Sequence, residues 1–139
     1  MILTASLCAP GECPIPRITL RNGSKIEAAP GRRLVLALED GGIDILHRCG
    51  GHAQCTTCRV VFRAGEPARM TTAEWTRLEA RGLLGEARLS CQILCEADMR
   101  LEVVNRLSDS DLDDAGPRPG DSITPEPEWM DAPDPSARA

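Results

Sequence analysis

The stretch Cys49-Gly50-Gly51-His52-Ala53-Gln54-Cys55-Thr56-Thr57-Cys58 decides how this chain is read. It sets three thiols in a C-x5-C-x2-C pattern, and a fourth, Cys91, follows after 32 intervening residues. Three thiolates from one tight loop and one from a distant segment suit a metal centre, since a two-iron, two-sulfur cluster offers four terminal positions, two on each iron. A loop that curls around such a centre must point backbone N–H groups at the sulfurs, which favours residues that tolerate positive φ or lack bulk. Gly50, Gly51, Ala53, Thr56 and Thr57 meet that requirement. Four thiolates also satisfy tetrahedral zinc, but zinc sites of that class usually offer two C-x2-C knuckles and this chain has one. Cys95 competes with Cys91 for the fourth position, and in an extended segment their sulfurs lie roughly 13 Å apart at about 3.3 Å per residue, so only one can serve. A site with two imidazole ligands from His47 and His52 would need a C-x-H step, which is absent. His52 then reads as a solvent-facing loop residue. Arg48 and Arg59 bracket the loop, either as a solvated rim or as charges that stabilise a reduced centre.

Together with Arg88-Leu89-Ser90-Cys91-Gln92, the loop resembles the 2Fe-2S ferredoxins of the β-grasp fold, and the resemblance covers residues 17–105. The x5 interval is similar to the adrenodoxin-like and bacterial hydroxylase-type branch, where plant-type ferredoxins have x4. The resemblance implies an α+β fold: a β-grasp, ubiquitin-like roll in which a mixed sheet packs against a helix and carries a cluster-binding loop. It implies a 2Fe-2S cluster on Cys49, Cys55, Cys58 and Cys91, the Arg-Leu-x-Cys-Gln setting favouring Cys91 over Cys95. Cys95 is then a small buried hydrophobe. The function implied is that of a monomeric one-electron carrier, not an enzyme in its own right, working between a flavoprotein ferredoxin reductase and a redox acceptor protein. Two alternatives stand beside it: a structural zinc-binding module, and a fixed relay or redox-sensor subunit of a larger complex. In that family an acidic helix after the cluster loop often meets the partner. Here Glu74 and Glu79 alternate with Arg77 and Arg81, a departure from such a face.

Outward from the loop, the pattern supplies the expected elements. Ile18, Leu20 and Ile26 alternate with polar residues around Arg21-Asn22-Gly23-Ser24, predicting a β-hairpin. Leu34, Val35 and Leu38 predict a short helix over 33–40 that stops at Gly41-Gly42. A strand is expected at Arg59–Arg63 and a helix at about 72–80. That helix is capped by Thr71 or Thr72, with Glu74 placed to complete a capping box. Alternation from Met99 to Val104 predicts the last strand. Only Phe62, Trp75 and Trp129 are aromatic, so the core must be aliphatic and thin, and would gain from a metal staple.

The sequence divides into an extension over 1–16, broken by Pro10, Gly11, Pro14 and Pro16, a domain over 17–106, and an acidic Pro-rich tail over 107–139 expected to be flexible. Residues 1–105 hold 13 basic and 12 acidic side chains, a net +1, and residues 106–139 hold 3 and 9, a net −6, so the tail carries the acidity. Within it, Trp129-Met130 is either an exposed apolar pair or a short docking motif. A near-neutral body with a single Lys offers no basic stripe for nucleic acid. No apolar run approaches the ~20 residues of a membrane span. Seven cysteines without a secretory signature point to metal or redox chemistry in a reducing, cytoplasmic setting. Cys8 and Cys13 flank a Pro-Gly turn, and a disulfide, a stray metal and inertness are all open to them.

Overall fold

Period-two alternation puts Ile18, Leu20 and Ile26 on one face, and the chain pairs accordingly. β1 (Arg17–Leu20) and β2 (Lys25–Glu27) run antiparallel with Ile18 opposite Ile26. The computed structural model describes residues 16–110, 112–124 and 126–132, so Cys8, Cys13 and nearly all of the expected N-terminal extension lie outside the described residues. α1 (Leu34–Asp40) follows, and Leu34, Val35, Leu36, Ala37 and Leu38 are all buried. A helix apolar around its whole circumference must be covered on every side. α1 meets β2 on one side and the Ser90–Gln92 turn on another.

After the cysteine loop come β3 (Arg59–Ala64), β4 (Arg69–Thr71) and α2 (Thr72–Ala80). β5 (Arg88–Leu89) leads into a 3-10 turn at Ser90–Gln92, and β6 (Met99–Val103) enters the sheet. Strand order is β2-β1-β6-β3-β5, with β1 and β6 parallel and the other neighbours antiparallel. This mixed sheet, packed on α1 through Ile18, Leu20, Val60, Phe62 and Leu101, is the expected α+β β-grasp roll. The expected cap of α2 holds in part. The Thr71 hydroxyl accepts the Glu74 N–H at 3.1 Å, but the Glu74 carboxylate is drawn to Arg88 and leaves the capping box open.

The described residues between 107 and 132 depart from the flexible tail that composition predicts. The His47 N–H donates to the Ala115 carbonyl at 2.8 Å, and the Thr72 N–H to the Glu128 carbonyl at 2.8 Å. β7 (Trp129–Asp131) pairs antiparallel with β4, Met130 opposite Met70, and the Arg69 guanidinium lies 5.5 Å from the Trp129 ring centroid. Trp129-Met130 is therefore a strand partner within the chain. The physical reason is that composition weighs apolar area, whereas this segment is held by backbone hydrogen bonds and by charge. Asp114 pairs with Arg48, Asp121 with Arg32, and Arg118 with Asp40. Gly116, at φ +114, lies so close to the His47 carbonyl that a Cβ would stand 2.5 Å from it.

Candidate metal centre

Gly41-Gly42 ends α1, and Ile45 forms a bridge with Arg106 that anchors the approach to the loop. The chain then turns through three left-handed residues, Gly50 (φ +76), Gly51 (φ +89) and Ala53 (φ +57). This curl aims backbone N–H groups inward. The His52 N–H reaches the Cys49 sulfur at 3.3 Å, and those of Gln54 and Cys55 also serve Cys49. The Ala53 N–H serves Cys91, and the Thr57 N–H serves Cys55. The Thr57 hydroxyl lies 3.1 Å from the Cys55 sulfur.

Cys91 arrives from the far side, fixed by a buried polar frame. Ser90 Oγ donates to the Cys58 carbonyl at 2.7 Å. Arg88 Nε donates to the Glu74 carboxylate at 2.7 Å, and that carboxylate also accepts the Leu89 N–H at 2.8 Å. Burial raises the Glu74 carboxyl above its ordinary value against the pull of Arg88. Gln92 Nε2 donates to the Thr124 carbonyl at 2.8 Å and lies 3.6 Å from the Cys91 sulfur.

The four thiols meet as two pairs. Cys49 hydrogen-bonds with Cys55, which, with the surrounding N–H groups and against burial, pulls the Cys49 thiol down to about 4 and pushes Cys55 up. Cys58 hydrogen-bonds with Cys91, lowering Cys91 and raising Cys58, whose burial acts in the same direction. The first pair is half-buried and the second fully buried. Among the described residues no three His, Cys, Asp or Glu side chains converge on a single ion. Two neighbouring thiol pairs ringed by N–H donors suit a centre of two irons, each with two terminal thiolates.

Cys95 stands apart. Burial pushes its thiol up to about 12, and the charges it feels are those of Arg32 and Glu96. His52 is exposed but not idle, its Nδ1 lying 2.8 Å from Thr124 Oγ1. His47 is buried, with Nε2 2.7 Å from the Glu39 carboxylate. Arg48 reaches Asp114 on the rim, and Arg59 donates to Thr56. Glu74, one of the two acidic residues of α2, is fully buried. Sequence reasoning passed over Arg33, whose buried guanidinium touches the carbonyls of Cys91 and Gly51. An Arg ahead of a helix carries no signal that it points inward.

Residues 18–96 match the family of the 2Fe-2S iron-sulfur cluster binding domain. The chain belongs to that family. It is a 2Fe-2S ferredoxin of the adrenodoxin-like type, with a 2Fe-2S cluster as cofactor and electron carriage as function. It is 33% identical over 96 residues to a 2Fe-2S ferredoxin of Pseudomonas aeruginosa, covering 63% of this chain and 85% of the relative. Over 78 residues it is 37% identical to one subunit of the Na(+)-translocating NADH-quinone reductase of Pseudoalteromonas atlantica. That alignment takes in 56% of this chain and 19% of the relative, so the ferredoxin spans about a fifth of that protein's length. Among solved structures it is similar to the ISC-like [2Fe-2S] ferredoxin FdxB of Pseudomonas putida (TM-score 0.53, 28% identity, 65% of this chain and 93% of that one). It is also similar to a chain of the covalent putidaredoxin reductase–putidaredoxin complex (TM-score 0.50, 27% identity, 65% and 98%). No helix among the described residues is long and apolar enough to cross a membrane.

Proposed function

We propose that Cys49 and Cys55 hold one iron of the cluster and Cys58 and Cys91 the other, and that the protein shuttles single electrons between a flavin-type reductase and an acceptor protein. The observation that carries this reading is the division of four thiols into two hydrogen-bonded pairs, one half-buried and one buried. When bound, the cluster supplies one-electron redox chemistry. The chain's part is to hold the thiolates, offset their charge with N–H donors from His52, Ala53, Gln54, Cys55 and Thr57, and keep water from the Cys58–Cys91 end. The Cys49–Cys55 end reaches the surface, so partners approach there. A chain similar to this one is seen joined to its reductase, which supports a reductase as donor. With no substrate chemistry of its own to perform, the protein acts as a monomeric carrier in a reducing, cytoplasmic compartment. The ferredoxin unit occupies 17–106, with 107–132 bound along it.

One observation favours a second reading, a fixed relay. The sodium-translocating relative is about five times longer than the stretch it shares with this chain. Reversible binding to a reductase with turnover of a free acceptor supports the carrier, and co-purification in a fixed complex supports the relay.

The test is visible absorption and low-temperature electron paramagnetic resonance of anaerobically purified protein, before and after dithionite, with iron, zinc and sulfide analysis. A red-brown, resonance-silent form that becomes a one-electron paramagnet with about two irons and two sulfides supports the reading. A colourless protein holding zinc that takes up no iron overturns it.

A further inference from the structure

Arg33 is fully buried ahead of α1, and backbone carbonyls receive its guanidinium. Nε and Nη2 donate to the Cys91 carbonyl at 3.1 and 2.7 Å, and Nη2 to that of Gly51 at 2.7 Å. Nη1 donates to Gly120 at 2.8 Å and Ser122 at 2.9 Å. One planar fork thus joins both ligand-bearing segments to the C-terminal strap, a geometry that suits Arg and not Lys. A buried cation is costly unless a negative group answers it. Burial lowers the guanidinium below its ordinary value, and Cys91, Cys58 and Cys49, negative once they hold a cluster as thiolates, oppose that.

The strap is shaped to this arrangement. Gly116 fits against the His47 carbonyl where a Cβ would stand 2.5 Å away, and a Cβ on Gly51 would lie 2.8 Å from both the Arg33 guanidinium and Pro119. Thr124 closes the circuit, its Oγ1 meeting His52 and its carbonyl taking the Gln92 amide.

We propose that Arg33 is a positioning residue of the cluster: it clamps the Cys91 turn, the Gly51 turn and the strap into one unit, and holds a fixed positive charge beside the sulfurs that raises the reduction potential and slows cluster loss. The proposal rests on the ligand reading given above. Reduction adds negative charge to the cluster, so a neighbouring cation at low effective dielectric favours the reduced form.

The experiment uses full-length protein carrying Arg33→Gln, Arg33→Lys or Gly116→Ala. Its readouts are the midpoint potential, the rate at which an iron chelator bleaches the cluster, and the rate at which endoproteinase Asp-N cleaves the Gly120–Asp121 bond in the cluster-free protein. In Arg33→Gln the reduction equilibrium becomes about tenfold less favourable, or about 59 mV for one electron, and bleaching and cleavage both speed up severalfold. Arg33→Lys keeps most of the potential but loses the fork, so cleavage speeds up. Gly116→Ala lifts the strap while leaving Arg33 in place, and bleaching and cleavage both speed up. An Arg33→Gln protein with parental potential and parental bleaching overturns the proposal. If Arg33→Gln does not accumulate folded, parental behaviour in both other variants overturns it equally. A parent that binds no 2Fe-2S cluster refutes the ligand reading instead, and the Asp-N comparison still decides whether Arg33 clamps the strap.

Discussion

Arg88→Met tests the frame that delivers Cys91. The Arg88 side chain is 2% exposed and that of Glu74 0%. The guanidinium gives two bonds to Glu74, at 2.7 and 3.3 Å, one to the nearly buried Glu66 carboxylate at 3.3 Å, one to the Pro67 carbonyl at 2.9 Å and one to the Arg69 carbonyl at 2.8 Å. Methionine retains much of the length, so the cavity left is small and the cost is electrostatic. Left alone, the Glu74 carboxylate has a way out: it can take up a proton. From its ordinary 4.5 to pH 7 that costs roughly 3.4 kcal/mol, at 1.36 kcal/mol per pH unit. Adding the deprived carbonyls gives a loss of about 3–5 kcal/mol, the range for breaking a buried pair, out of a total of about 5–15. The sign with pH follows from the raised carboxyl of the folded variant. The folded form binds more protons than the unfolded, so stability falls as pH rises above 4.5 and the penalty shrinks by about 1.4 kcal/mol per unit below pH 7. Glu74→Gln with Arg88→Met removes the fully buried carboxylate, relieves its repulsion with Glu66 and keeps an acceptor for the Leu89 N–H, so the double variant recovers about 2 kcal/mol or more. Anaerobic urea unfolding, followed together by far-UV circular dichroism and cluster absorbance to check for one transition, measures all three. A penalty flat between pH 5 and 7, with the two substitutions additive to within about 0.5 kcal/mol, refutes the reasoning.

Cys91→Ser removes one of two thiols at the buried end and abolishes or alters the cluster spectrum, whereas Cys95→Ser, buried outside the constellation, leaves it unchanged; the opposite pattern reverses the ligand assignment. Gly65→Ala forces a Cβ to 2.2 Å from the Asp98 carbonyl at φ +74, and thermal unfolding registers a loss of at least about 1–3 kcal/mol. Hydrogen bonds from Arg32 and Arg118 hold the Asp40 carboxyl below its ordinary 3.8. Its contribution is complete above that value and is lost as pH falls through the lower folded value. Trp129 fluorescence in a Trp75→Phe background is expected to report loosening of the strap in that acid range, and Asp40→Asn is expected to reproduce it at pH 7. A flat response in both disconnects Asp40 from the strap.

The cysteine loop was legible because its chemistry leaves few options. A turn that must put N–H groups on sulfurs selects Gly50, Gly51 and Ala53, and these are the residues found at positive φ. The hairpin, both helices and the two long strands were legible for a related reason, since periodicity reports which face is buried. β4 and β5 were not, because strands of three and two residues are too short to show a period. Glu74 was misjudged for a different reason. Local grammar offered it a capping box, but Arg88 lies 14 residues away in sequence and only the fold brings the two together.

The strap marks where composition stops being a guide. An acidic, Pro-rich segment with few apolar residues cannot pack by burying area, and on that count 107–132 should be loose. It is ordered because the body supplies what the segment lacks: Arg32, Arg48 and Arg69 for its carboxylates and its indole, an exposed β4 edge for β7, and the Nη1 group of Arg33 for two of its carbonyls. These partners are ordinary residues in the sequence, and none is near the segment along the chain. An unpaired edge strand and a buried cation with spare donors are both unfavourable alone. The body therefore needs the strap as much as the strap needs the body, and the acidity of Asp114 and Asp121 is complementarity to Arg48 and Arg32 of the folded ferredoxin.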